Sequence, residues 1–133
     1  MQRKAFKISE SKDGKKAIYV DAINAEKILN FINQDPRHKK KFRFIENVIL
    51  ENLRMTGVYD KEEINTRCKG ITAMKFFKGQ ENARIYCKEI TTGDKVFVVI
   101  ASELLERKKS QKLSKKDIQI IEKVATYEYL LEK

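Results

Sequence analysis

The spacing of apolar residues changes period several times along the chain, and each change predicts an element. Ala5-Phe6-Lys7-Ile8 and Ala17-Ile18-Tyr19-Val20 flank Ser11-Lys12-Asp13-Gly14. Asp-Gly between two apolar runs predicts a β-hairpin over residues 4–21. The first strand is short and polar, which predicts a sheet edge. Ile28, Leu29, Phe31 and Ile32 then predict a helix over Ala25–Asn33, with Asn24 as its cap. Asp35-Pro36 restarts the chain, Asp at the N-cap and Pro at the first helical position. Phe42, Ile45, Val48, Ile49 and Leu53 recur at three- and four-residue spacing, which predicts a helix from Pro36 to about Arg54. Gly57 fits its C-terminal stop, and residues 58–69 read as a polar loop.

The second half begins in strand period. Lys69-Gly70 precedes a strand over Ile71–Phe77, and residues 78–82 form a loop of hairpin length. Strands over 83–91 and 95–102, joined by Thr91-Thr92-Gly93-Asp94, complete an antiparallel meander. Residues 103–113 are a transition. Ser114-x-x-Asp117 then resembles a capping box. The final helix is predicted to carry Ile118, Ile121, Val124 or Ala125, and then Tyr127, Leu130 and Leu131. The expected class is α+β: two N-terminal helices on a small, mostly antiparallel sheet, a C-terminal helix, and an extra N-terminal hairpin strand. Residues 1–133 read as a single domain, with 1–16 as an N-terminal extension.

Charge sharpens this picture. Of 133 residues, 29 are Lys or Arg and 19 are acidic, for a net charge of +10. That balance favours a polyanionic partner, although a basic surface also serves solubility. Two features concentrate the charge. The strands over 83–91 and 95–102 deliver a run of Arg107, Lys108, Lys109, Lys112, Lys115 and Lys116, a rigid platform for RNA phosphate. Arg37, His38, Lys39, Lys40, Lys41 and Arg43 crowd the start of the second helix, where the helix dipole disfavours cations. They form a solvated face or contact RNA or an acidic partner. His38, the only histidine, is expected to be exposed and not catalytic.

Cys68 and Cys87 are the only cysteines, and their spacing suits no structural zinc site. A disulfide stays open, with reduced thiols the expectation. The N-terminus lacks the apolar core of a secretory signal, and no apolar stretch is long enough to span a membrane. A cytoplasmic protein without cofactor or metal is expected.

Particular residues resemble a family. Lys108-Lys109-Ser110-Gln111-Lys112-Leu113-Ser114-Lys115-Lys116-Asp117-Ile118, followed by Ala125, looks like the C-terminal signature of HigB-like toxins. Lys69-Gly70 with Ala73-Met74-Lys75 resembles the family's Gly followed by a Glu-x-Arg strand, with Ala73 in place of the acid and Lys75 in place of the Arg. Ala83-Arg84-Ile85-Tyr86 resembles its Tyr-Arg-Ile/Val-x-Tyr strand. Over roughly 17–133 the chain is similar to the RelE/ParE/HigB superfamily of bacterial type II toxins, in a phage-derived branch.

The resemblance implies a metal-free endoribonuclease acting on mRNA in the ribosome, paired with a cognate antitoxin that is acidic or carries a helix-turn-helix. Attack of a 2′-OH on the adjacent phosphate needs a base, cations for the phosphorane and an acid for the 5′-oxygen. The implied catalytic set is Arg84, Lys75, Lys108, Lys109, Lys112 and Tyr127. Arg107, Lys115, Lys116 and Lys78 would bind RNA. With no suitable His, a clustered lysine would be the base. Two alternatives come with the family: a ParE-like inhibitor of a protein target such as gyrase, and a catalytically degenerate domain that binds RNA or the ribosome.

Overall fold

The computed structural model describes residues 2–77, 82–106 and 115–132. Two strands, β1 (Gln2–Glu10) and β2 (Lys16–Asp21), are followed by helices α1 (Ala25–Asn33) and α2 (Pro36–Leu50). Strands β3 (Tyr59–Lys61), β4 (Ile71–Lys75), β5 (Arg84–Thr91) and β6 (Phe97–Leu105) come next. Helix α3 (Lys115–Ala125) and strand β7 (Glu128–Glu132) close the chain. A single 3₁₀ turn, Thr66–Cys68, lies before β4.

The seven strands among the described residues join one sheet in the order β3-β4-β5-β6-β2-β1-β7. The pairs β2–β6 and β1–β7 are parallel and the rest antiparallel. This corrects the expected architecture. A long mixed sheet of seven strands, with three α-helices among the described residues, replaces two N-terminal helices on a small, mostly antiparallel sheet.

Two misread segments account for much of the difference. Residues 2–10 form an interior strand between β2 and β7, not an edge. Their polar side chains fit there because Arg3 pairs with the buried Asp21. Residues 128–132 form a strand and do not continue the helix. Tyr127, Tyr129 and Leu131 recur every second residue and pack on one face. Over so few positions that period competes with the helical one that Leu130 and Leu131 suggest. Helix α3 ends at Ala125, where Thr126 N and Tyr127 N donate to Lys123 O and Val124 O, both at 3.0 Å.

Helix α2 also stops earlier than its periodicity predicts. Asn52 has φ 55°. Its amide donates to Ile49 O at 3.3 Å, and Leu53 N donates to Val48 O at 2.9 Å. This is a Schellman closure with Asn in the left-handed position. At its start the sequence signals hold: Asp35 is extended, its carboxylate accepts from His38 N at 2.8 Å, and Pro36 opens the helix.

The sheet buries both faces. Helices α1 and α2 bring Ile28, Phe31, Ile32, Phe42, Ile45, Val48 and Ile49 against Ile18, Val20, Met74, Ile85 and Val99. Helix α3 packs Ile121 and Val124 on the other face, against Ile71, Ala73, Tyr86 and Leu105. Cys87 lies in the first cluster and Cys68 in the second, and both are free thiols. Gly70 has φ +83°, and a Cβ there would lie 3.2 Å from Glu89 O, which explains a glycine where β4 begins beside β5. No helix among the described residues is long and apolar enough to cross a membrane.

Candidate nucleic-acid interface

Strand register fixes the centre of the site. Lys75, the last residue of β4, pairs with Arg84, the first of β5, and Ala73 pairs with Tyr86. Alternation puts Lys75, Ala73, Arg84 and Tyr86 on the α3 face. At that end of the sheet a cleft of about 410 Å³ is lined by Lys41, Gly57, Lys75, Phe76, Phe77, Asn82 and Arg84. Three cations from three elements therefore converge there: one from α2, one from β4 and one from β5.

Acids hold two of them. Arg84 Nη1 donates to Glu62 Oε1 at 2.7 Å, and the two side chains are only 9% and 11% exposed. Glu62 lies just past β3, where its own amide donates to Ile71 O at 2.8 Å. Lys75 Nζ donates to Thr56 O at 3.1 Å and lies 3.8 Å from Asp60 Oδ2. The Arg84 Nε–H is buried and meets no acceptor among the described residues. A buried donor without a partner is costly, and a guanidinium left with an open donor beside a cleft is suited to an anionic oxygen.

Two strand positions further in, the Tyr86 hydroxyl points at Asp117 Oδ1 at 3.5 Å. Asp117 is 1% exposed and sits in the first turn of α3. Burial, and then the Asp117 carboxylate, push the Tyr86 phenol well above its ordinary pKa. Tyr86 is thus a buried core residue, poorly placed to ionise.

At the other side of the cleft, the start of α2 is built around Phe77. The Arg37 guanidinium lies 3.8 Å from the Phe77 ring centroid. His38 meets Phe31 and Phe77 edge-on, each at 5.0 Å. Its Nδ1 lies 2.8 Å from Asp35 Oδ1. His38 is buried, which corrects the expectation of an exposed residue. Asp35 explains it: one carboxylate caps the helix and orients the imidazole, so the ring can pack between two phenylalanines.

The expected site residues separate into four groups. Lys75 and Arg84 come together. Tyr127 lies elsewhere: it follows α3 instead of riding on it, lines no part of the cleft, and donates its hydroxyl to Glu103. Arg3 stacks on its ring at 3.9 Å. Burial and the Glu103 contact raise its phenol pKa, which suits a structural pin more than a proton donor. Lys115 and Lys116 are exposed at the start of α3. Lys78, Arg107, Lys108, Lys109 and Lys112, with the Ser114 cap, lie outside the described residues.

Glu62, Asn82 and Phe77 were not visible as site residues in the sequence. Glu62 sits in a segment that reads as polar loop. Only Lys41 carried a signal, as part of the basic run opening α2. Chemically the cleft offers cations for a phosphate and an aromatic wall, while the Glu62 carboxylate is held on Arg84 but is not among the lining residues. Comparison of the chain with known protein families, curated proteins and solved structures finds no match.

Proposed function

We propose that the protein is the toxin of a type II toxin–antitoxin pair, a metal-free endoribonuclease acting in the cytoplasm on mRNA at the ribosome. The observation that carries this reading is the Lys75–Arg84 pair in a cleft, with a buried Nε–H on Arg84 that has no hydrogen-bond partner among the described residues. The net charge of +10 and the segments resembling HigB-like toxins support it.

In this reading an RNA phosphate enters the cleft and competes with Glu62 for the guanidinium. Arg84, Lys75 and Lys41 neutralise the charge that grows on the phosphorane oxygens. Glu62, displaced from Arg84 but still beside it, takes the proton from the attacking 2′-OH. The departing 5′-oxygen receives its proton from the ammonium groups of Lys41 or Lys75. Products are a 2′,3′-cyclic phosphate and a free 5′-OH. Primer extension on mRNA from translating extracts is the test. New 5′ ends should appear inside translated codons, and Arg84→Ala should reduce them by orders of magnitude. Cleavage that survives Arg84→Ala contradicts the mechanism.

One observation favours a second reading, a non-cleaving RNA- or ribosome-binding domain. Glu62 already occupies one arm of Arg84, with both side chains about nine-tenths buried. Ribosome co-sedimentation without new 5′ ends distinguishes this reading from the first.

A further inference from the structure

We infer that the wall of the cleft facing α2 is a base-stacking subsite, so that the ligand is single-stranded RNA with one base laid against Phe77 where that ring lines the cleft. This deepens the reading above and rests on its RNA-binding part, not on cleavage.

The argument begins with two adjacent phenylalanines. Phe76 is 1% exposed and packs edge-on against Phe31 at 5.0 Å, inside the core. Phe77 is only partly buried and lines the cleft with Lys41, Lys75, Asn82 and Arg84. A cleft built only to hold charge gains nothing from an aromatic wall. The ring is moreover fixed in place: Arg37 lies over it at 3.8 Å and His38 meets it at 5.0 Å with an interplanar angle of 82°. His38 is itself set by Asp35, which also caps α2. The first turn of α2 is therefore a support for one aromatic plane.

Flat surfaces beside phosphate-binding cations match a nucleotide. Bases stack on aromatic rings and on guanidinium planes, and each stack contributes about 1–3 kcal/mol in single-stranded complexes. Lys41 lies one helical turn beyond Arg37 on α2 and reaches the same cleft, so the polar and aromatic elements share one wall. Asn82 lines the cleft too and offers both a donor and an acceptor to a base edge. A duplex keeps its bases stacked on each other, so the site demands an unpaired nucleotide. An acidic protein segment or inorganic polyphosphate would satisfy the cations but leave Phe77 unused.

The test is fluorescence anisotropy with a labelled single-stranded RNA oligonucleotide, and with inorganic polyphosphate as competitor and charge-only ligand. Phe77→Leu keeps apolar bulk but removes the aromatic plane. It should weaken RNA binding about 5- to 150-fold, the range that 1–3 kcal/mol represents. Phe77→Tyr should bind like wild type, and polyphosphate should bind all three proteins equally. Unchanged RNA binding in Phe77→Leu overturns the stacking subsite while leaving RNA binding intact. Equal losses for RNA and polyphosphate overturn it as well, because they show a general disturbance of the cleft. Wild-type protein that binds no RNA overturns both the subsite and the proposed function. A second measurement needs no variant: ultraviolet cross-linking of wild type to RNA carrying 5-iodouridine should label the peptide containing Phe77. Cross-links confined to other peptides overturn the inference.

Discussion

Glu62 holds Arg84 at 2.7 Å in a pair that is about nine-tenths buried on both sides. The relationship makes folding and ligand binding antagonistic at one atom pair. Water scarcely reaches either group, so each depends on the other until an anion replaces the carboxylate. Breaking such a pair by removing one partner leaves an uncompensated charge, at a cost of about 3–5 kcal/mol.

Glu62→Ala should therefore lower the unfolding free energy by about 3 kcal/mol, read from urea denaturation. Glu62→Leu combined with Arg84→Met removes both charges and should recover most of that loss. In the proposed function the double variant is stable but inactive. A double variant as unstable as Glu62→Ala would show that the pair's geometry, and not charge compensation, holds this end of the sheet.

A second buried acid fixes the other end of the sheet. Asp21 is fully buried and accepts from Arg3 Nε at 2.6 Å, Tyr129 Oη at 2.7 Å and Ile23 N at 2.8 Å. Tyr129 Oη also lies 2.8 Å from Ser102 Oγ, at the extra residue that shifts the β5–β6 register. Asp21→Ala should destabilise the fold by several kcal/mol, because Arg3 loses its carboxylate partner in a site that excludes water. Hydrogen exchange should show the loss first in β7, which pairs only with β1. Uniform loss of protection across all strands would contradict a local pin.

These two acids show what was legible in the sequence and what was not. Asp35-Pro36 and Asp13-Gly14 act through neighbours in the chain, and both marked their elements correctly. The Lys75–Arg84 pairing followed from two adjacent strands and a short loop. Asp21 and Glu62 act on partners 18 and 22 residues away, as donors and acceptors meeting across strands. No local periodicity encodes that. The segment 126–132 failed for a different reason: Tyr127, Tyr129 and Leu131 satisfy a strand, Leu130 and Leu131 extend a helix, and β1 as an open partner decides between them. Tyr127 left the expected site with that change.

Alkaline titration should expose the tyrosine burial. Burial is the first cause raising the phenol pKa of Tyr59, Tyr86, Tyr127 and Tyr129. In the unfolded chain these phenols ionise near about pH 10. A group whose folded pKa is raised contributes stability that is fully present below the unfolded pKa. Above about pH 10 the unfolded state sheds protons that the folded state keeps, so stability falls as pH rises. Absorbance of tyrosinate should rise together with loss of circular dichroism. Full ionisation of these four residues in a protein that remains folded would disprove their burial.

The salt dependence of RNA binding counts the phosphates that the cleft engages. Each phosphate contact on a single strand contributes about −0.7 to the slope of log K against log salt. Lys41, Lys75 and Arg84 line the cleft, whereas Lys12 sits in the β1–β2 turn. Lys75→Met should weaken binding and make the slope shallower by about 0.7. Arg84→Met should do the same and also release Glu62, so its loss of affinity combines a missing contact with a new carboxylate repelling the phosphate. Lys12→Met carries the same change in net charge but should leave the slope untouched. Equal slopes for Lys75→Met and Lys12→Met would mean that RNA senses the overall charge of +10 and not this cleft.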